Sequence, residues 1–136
     1  MDDHGHPVDP ERVEAARQGQ IPVGEAEAMG SLLTLVADPL RARILSALVA
    51  TEELCVGDIA LALDATEDAV SYALRILRTA GLVHRRREGR MGYYRLREGE
   101  MRTALLAALE QLRRLTRLHG EGLSDPRTNW QHQRGL

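Results

Sequence analysis

Apolar residues recur every three or four positions over several separate stretches of this chain, which is the spacing of amphipathic helices. The first stretch, residues 25–36, is followed by Ala37-Asp38-Pro39, where the aspartate can cap a second helix that has proline in its first turn. The whole pattern predicts helices over residues 25–36, 39–50, 56–63, 66–80 and 98–118. Residues 1–23 have no sustained period, and we expect a flexible arm there with one helical turn near residues 11–17.

Two of the predicted helices are separated only by Asp64 and Ala65. Two short helices joined in this way are typical of a helix-turn-helix. The second of them starts at Thr66, a favourable N-cap residue. Its buried stripe is Val70, Ala73, Leu74 and Leu77, and its opposite face carries Ser71, Tyr72, Arg75 and Arg78.

A basic hairpin is predicted directly after this helix. Gly81 ends the helix, and residues 82–96 form two strand-like runs on either side of Glu88-Gly89-Arg90. The arginines of this hairpin are Arg85, Arg86, Arg87 and Arg90, to which we assign DNA contacts together with Thr66, Ser71, Tyr72, Arg75 and Arg78. A helix followed at once by a basic hairpin is typical of a winged helix, in which the helix enters the major groove and the wing follows the backbone or minor groove. The expected fold is therefore mostly α-helical with a small β-hairpin wing.

The charge distribution supports a nucleic-acid partner. Residues 1–74 contain 14 acidic residues and 4 arginines, a net charge of −10, whereas residues 75–97 contain 8 arginines and one glutamate, a net charge of +7. A chain of 136 residues has room for one domain, and its N-terminal sequence is acidic and lacks the long apolar run of a signal or membrane segment, so we expect a cytoplasmic protein. It has no glycine-rich phosphate loop and no nucleophile beside a histidine, which argues against an enzyme.

The last predicted helix carries a wide apolar face. We assign a homodimer interface to Met101, Leu105, Ala108, Leu112 and Leu115, together with the helix over residues 25–36. Residues 24–118 would then form one DNA-binding and dimerisation domain. Residues 119–136 are polar and predicted to be a disordered tail, and no role is assigned to His119, Trp130 or His132.

Several short motifs, in this order and spacing, resemble the ArsR/SmtB family of metal-sensing repressors. They are Ala37-Asp38-Pro39 with Arg41 and Arg43; Glu53-Leu54-Cys55-Val56-Gly57-Asp58-Ile59-Ala60; Ala69-Val70-Ser71 with Leu74 and Leu77; and Gly89-Arg90 with Tyr93-Tyr94-Arg95-Leu96. The resemblance covers residues 25–118. It implies a winged-helix homodimer that binds operator DNA when free of its inducer and leaves the DNA when the inducer binds.

The resemblance also suggests where a metal ion would bind. The family's site on the last helix corresponds to Glu98, Glu100, Gln111 and Arg114, and an arginine there would repel a cation. The family's other site uses the cysteine and aspartate that match Cys55 and Asp58, with ligands from the arm of the other subunit, where this chain carries His4 and His6. Such a set suits tetrahedral zinc, cadmium or cobalt. Gly57 stands where thiolate-rich members have a second cysteine, which argues against lead, arsenic or bismuth.

Two alternatives to the metal site stay open. Cys55 is the single cysteine of the chain, so it forms no internal disulfide and can simply be a small buried apolar residue. The chain would then be a repressor of the same fold that is switched by oxidation of Cys55, or a repressor that is not switched at all.

Overall fold

The computed structural model describes residues 8–123, which form six helices and three short strands. The chain divides into two units at the boundary between Asp38 and Pro39. Within the described range, no helix combines the length and apolarity that a bilayer crossing requires.

The first unit contains two helices. Helix α1 spans Pro10–Gln18 and helix α2 spans Val23–Ala37. The expectation of a single turn in this region was wrong, because α1 has nine residues. Capping at both ends of α1 accounts for its length. An Asp9 carboxylate oxygen accepts a hydrogen bond from the Arg12 backbone N–H at 3.0 Å, and Gly19 is the C-cap residue at the other end. None of its residues is buried, so hydrophobic periodicity gives no sign of it.

Three helices form the centre of the second unit: α3 (Pro39–Thr51), α4 (Val56–Leu63) and α5 (Glu67–Thr79). Their bounds agree with the predicted helices within one residue at each end. The core residues that they contribute are fully or almost fully buried: Ile44, Leu45, Leu48, Ile59, Ala60, Leu63, Val70, Ala73, Leu74 and Leu77. These apolar faces orient α4 and α5 as a helix-turn-helix.

The turn between α4 and α5 is fixed by backbone and side-chain contacts. Asp64 adopts a left-handed conformation with φ of 53°, which aspartate tolerates better than most residues. The Arg43 guanidinium donates to the Leu63 carbonyl oxygen at 3.1 Å and so satisfies one of the terminal carbonyls of α4. The exposed Arg43 thus makes a structural contact between α3 and the end of α4.

The sheet has one strand more than predicted. Strands β2 (Val83–Glu88) and β3 (Met91–Leu96) form the expected antiparallel hairpin, in which Gly89 has φ of 62° at the turn. The additional strand β1 (Leu54–Cys55) pairs with Tyr94 and Tyr93 of β3, giving the order β1-β3-β2. A strand of two residues is too short to have a detectable alternation, so its existence depends on the tertiary partner.

Helix α6 spans Glu100–Leu123, five residues beyond the predicted end at residue 118. The helix continues through Gly120, since one glycine inside a helix costs only about 1 kcal/mol relative to alanine. His119 and the start of the predicted tail therefore lie in α6. Trp130 and His132 lie outside the described residues.

Candidate DNA interface and regulatory site

Helix α5 has one buried and one exposed face. Ser71, Tyr72, Arg75 and Arg78 are all exposed, and Tyr72 retains 63% of its accessible surface. The buried face of α5 packs inward, so the exposed side chains are held on a rigid element. Hydroxyls and guanidinium groups in this arrangement can contact base edges and phosphates.

Thr66 serves as the N-cap of α5. Its hydroxyl oxygen accepts a hydrogen bond from the Ala69 backbone N–H at 3.1 Å. Glu67 and Asp68 follow in the first turn, where the helix dipole favours negative charge. Thr66 is exposed, so the predicted DNA contact and the observed cap are compatible.

The wing places its arginines on different faces. In an antiparallel hairpin, side chains alternate between the two sides of the sheet. Arg85 and Arg87 therefore share one side, and with Arg90 they line a surface cavity next to Cys55. The stem of Arg85 lies across Gly92, since a Cβ at Gly92 would come within 3.4 Å of Arg85 Cδ.

Arg86 lies on the other side of the wing and is already paired. Its Nε and Nη2 donate to the two carboxylate oxygens of Glu53 at 3.1 and 2.8 Å, and Nη1 lies 3.4 Å from Glu88. Its guanidinium carbon is 4.8 Å from the centre of the Tyr93 ring. The hydrogen bonds from Arg86 lower the pKa of Glu53, and the same bonds to Glu53 raise the pKa of Arg86.

Cys55 and Asp58 stand at the start of α4. Cys55 is the N-cap residue and only 7% exposed, whereas Asp58 lies in the first turn and is exposed. Their separation of three residues favours the same side of the helix, so they could supply two of the four donors that tetrahedral zinc needs. Within residues 8–123, no three His, Cys, Asp or Glu side chains cluster in a way that could hold a metal ion. His4 and His6, the other two predicted ligands, lie outside the described residues.

The alternative metal site on the last helix receives no support from its surroundings. Glu98 forms an ion pair with Arg95. Arg114 is exposed on α6.

The predicted dimer residues of α6 differ in exposure. Met101, Leu112 and Leu115 keep 42%, 37% and 61% of their surface, and Ala108 is also exposed. Leu105, in contrast, is 9% exposed and belongs with the buried residues. On α2, the side chains of Met29, Leu32 and Leu33 are about half exposed.

Glu53 and Tyr93 were missed as functional candidates. Both belong to the motifs quoted for the family resemblance, but neither has a chemical signal of its own in sequence. The available signal was the acidic pair Glu52-Glu53 ahead of an arginine-rich strand, and only the pairing of β1 with β3 brings these segments together.

The sequence is similar to known bacterial regulatory proteins. Residues 38–85, from the start of α3 to the first part of β2, match the model of "Bacterial regulatory protein, arsR family". The chain is 42% identical over 91 residues to a transcriptional repressor SmtB homolog from Synechocystis sp.. This alignment covers 67% of this chain and 68% of that protein. It is also 39% identical over 106 residues to a putative arsenical resistance operon repressor ArsR from Halobacterium salinarum, over 76% of this chain and 77% of the relative.

The fold is also similar to that of a transcriptional repressor of known structure. The crystal structure of the AntR antimony-specific transcriptional repressor superposes with a TM-score of 0.65 at 26% identity and covers 85% of this chain and 97% of its own. The similarity thus extends well beyond the helix-turn-helix.

Proposed function

This chain belongs to the arsR family of bacterial regulatory proteins, and we propose that it is a DNA-binding transcriptional repressor controlled at the start of α4. Because the family consists of regulatory proteins, the chain is a regulator and not an enzyme. The observation that carries the proposal is the exposed polar face of α5 beside the wing arginines, within a segment of net charge +7. A protein that binds operator DNA works where the chromosome is, so a cytoplasmic location is part of this proposal.

Two kinds of contact with DNA follow from this arrangement. Helix α5 would enter the major groove, where Ser71 and Tyr72 reach base edges and Arg75 and Arg78 reach bases or phosphates. The wing would follow the backbone or minor groove through Arg85, Arg87 and Arg90. The side chains of α5 would determine sequence preference, and those of the wing would supply affinity that does not depend on sequence.

A binding-site selection tests this division. The wild-type protein selects duplexes from a random library, and fluorescence anisotropy then measures its dissociation constants for the selected duplex and for single-base variants. Tyr72→Phe removes only a hydroxyl, so we expect it to relax discrimination at one position of each half-site by about 1 to 3 kcal/mol. Discrimination unchanged in Tyr72→Phe and Ser71→Ala would exclude base readout by these two hydroxyl groups.

We propose that the repressor is a homodimer formed through α6 and α2. Large exposed apolar patches on small domains mark interaction sites, and Leu112, Leu115 and Leu118 are exposed along one face of α6. A two-fold dimer would present two copies of α5 to a pseudo-palindromic site with half-sites about one helical turn apart, or a multiple of it.

We propose further that a metal ion is the inducer. Cys55 and Asp58 offer a thiolate and a carboxylate, and the arm of the other subunit would add His4 and His6. When bound, the ion would tie the arm of one subunit to α4 of the other, next to the elements that contact DNA. The names of the relatives support metal or metalloid response without agreeing on one element, and the donor set of this chain favours zinc, cadmium or cobalt.

A second candidate is a repressor of the same fold without a metal. It is favoured by the burial of Cys55, which is only 7% exposed. Such a protein is either constitutive or switched by a peroxide, which would oxidise the Cys55 thiolate to sulfenic acid and itself be reduced.

One titration separates these candidates. The complex with the selected duplex is titrated with zinc, cadmium, cobalt, arsenite, antimonite or hydrogen peroxide, and release is followed by anisotropy in wild type and Cys55→Ser. Release by zinc or cadmium in the presence of reductant, abolished in Cys55→Ser, supports the metal switch. Release by peroxide alone supports the redox switch, and no release by any of them supports a constitutive repressor.

A further inference from the structure

Arg86 is engaged by the protein on several sides at once. Glu53 accepts two hydrogen bonds from it, Glu88 lies 3.4 Å away, and the Tyr93 ring packs at 4.8 Å from the guanidinium carbon. A guanidinium has five N–H donors, and a bidentate carboxylate pair uses the geometry that this group favours most. Two carboxylates thus lie against Arg86, and their negative charge would oppose the approach of a phosphate.

Glu53 connects two parts of the second unit that are far apart in sequence. It lies between α3 and β1, 33 residues before Arg86, and its side chain is 26% exposed. Strand β1 itself pairs with the wing over only two residues. The Glu53–Arg86 contact thus adds a side-chain link between the wing and the segment that leads into the helix-turn-helix.

The two sides of the wing have different surroundings. Arg87 follows Arg86 directly, but strand alternation places its side chain on the opposite side, with Arg85. Arg85, Arg87 and Arg90 line one cavity together, whereas Arg86 forms its ion pairs with Glu53 and Glu88 on the other side of the wing. Three successive arginines that look equivalent in sequence are therefore divided into two classes.

We propose that Arg86 is a positioning residue that does not contact DNA, and that its pairing with Glu53 fixes the orientation of the wing in which Arg85, Arg87 and Arg90 reach the backbone. This inference rests on the proposed DNA-binding function. It reassigns Arg86 from the set of DNA contacts predicted from sequence.

The test uses the full-length protein and the duplex that it selects. Dissociation constants are measured between about 50 and 200 mM salt, where the slope of log affinity against log salt falls by about 0.9 for each phosphate that the protein no longer neutralises. The variants are Arg86→Gln, Glu53→Gln, both together, and the exchanged pair Glu53→Arg with Arg86→Glu. Arg87→Gln is the matched control, because it removes the same charge from the next residue of the same strand.

Positioning predicts a pattern that direct contact does not. Arg86→Gln and Glu53→Gln should each weaken binding by a similar factor, about threefold to tenfold, with no further loss in the double variant. The salt slope should remain close to that of wild type, and the exchanged pair should recover most of the affinity because the ion pair is restored. Arg87→Gln should reduce the slope by about 0.9 for each wing.

Direct contact predicts the reverse. Glu53→Gln would then strengthen binding by freeing Arg86, Arg86→Gln would reduce the slope as Arg87→Gln does, and the exchanged pair would be the weakest variant because it presents a carboxylate to a phosphate. Any of these results would overturn the positioning role. If Arg87→Gln and Arg90→Gln also leave affinity and slope unchanged, the proposed wing contact fails, and this failure is distinct from the failure of the positioning role.

Discussion

At the scale of single residues, identical side chains in the wing have different surroundings. Arg85, Arg86 and Arg87 are adjacent in sequence, but the alternation of the strand and the position of Glu53 separate them. The sequence alone predicts an arginine-rich hairpin correctly and cannot divide its arginines, because the partner Glu53 lies 33 residues away. The division depends on the tertiary pairing of β1 with β3.

Arg90 provides a direct test of the wing as a backbone contact. Arg90 is exposed next to the turn at Gly89. Arg90→Ala should weaken binding to all sequences alike and lower the salt slope by about 0.9 for each wing, measured by anisotropy. Arg113→Ala on α6 removes the same charge from an exposed position outside residues 75–97, the segment of net charge +7, and should leave the slope unchanged. An Arg90→Ala variant with the wild-type slope would contradict the wing contact.

The titration of Glu53 offers a second test at this scale. Hydrogen bonds from Arg86 lower its pKa below the ordinary value of 4.5. Because the pKa is lower in the folded state, the pair stabilises the wing above the unfolded pKa, and this contribution disappears as pH falls through the folded pKa. Side-chain carboxyl NMR of the wild type should give a Glu53 pKa below 4.5, and Arg86→Gln should raise it. A Glu53 pKa that does not respond to Arg86→Gln would mean that the pair does not persist in solution.

At the scale of secondary-structure elements, what could be predicted depended on local signals. The bounds of α4 and α5 follow from apolar periodicity and from caps such as Thr66, which lie within or next to the elements themselves. Helix α1 was predicted only as one turn and strand β1 was missed, because neither shows a periodic apolar pattern. The prediction that Cys55 and Asp58 lie on one side of α4 also depends only on their spacing. The exposure of Cys55 depends on surrounding elements, so the sequence left it open.

Thr66 has a structural role that can be separated from a DNA contact. Thr66→Ala removes the N-cap bond of α5 and should lower the free energy of unfolding by about 1 kcal/mol in urea denaturation. Thr66→Asp retains an N-cap acceptor, so its stability should remain near that of wild type. If Thr66 also lies against the DNA backbone, Thr66→Asp should weaken binding by repelling phosphate, and Thr66→Ser should preserve both properties. Full stability in Thr66→Ala would contradict the cap.

At the scale of the whole molecule, the apolar face of α6 determines whether two DNA-binding surfaces act together. Leu112→Arg and Leu115→Arg should each place a charge in the proposed interface and give folded monomers with weak DNA binding. Leu105 is a poor choice for this test because it is buried and its replacement would also disturb the fold. Sedimentation measures the association state, and circular dichroism confirms folding.

A matched control for the dimer test is available on the same helix. Thr103→Arg adds the same charge to an exposed position of α6 that lies on the side away from Leu112 and Leu115. It should sediment as the wild type does. If the two leucine variants remain dimers as stable as Thr103→Arg, the interface lies elsewhere.

The regulatory hypothesis requires that metal and DNA act on each other through the whole dimer. If a metal ion weakens DNA binding, DNA must weaken metal binding by the same factor, with a coupling free energy of typically about 1 to 3 kcal/mol. Isothermal titration with zinc should therefore give a lower affinity for the DNA-bound protein than for the free protein, by the factor that anisotropy gives for operator release. Unequal factors would mean that the zinc binding measured by calorimetry is not the binding event that releases DNA.

The N-terminal arm gives this hypothesis its sharpest test. Replacement of both His4 and His6 by alanine, or deletion of residues 1–8, which keeps the Asp9 cap of α1, should leave DNA affinity intact and remove the response to zinc and cadmium. His119→Ala on α6 removes an imidazole outside the proposed donor set and should respond as the wild type does. Because thiolate and neutral imidazole are the binding forms, the metal response should also weaken as pH falls below about 6.5, where free histidine becomes protonated. A variant that lacks the arm and still releases DNA on addition of metal would show that Cys55 and Asp58 do not need ligands from the second subunit, and the inter-subunit switch would have to be abandoned.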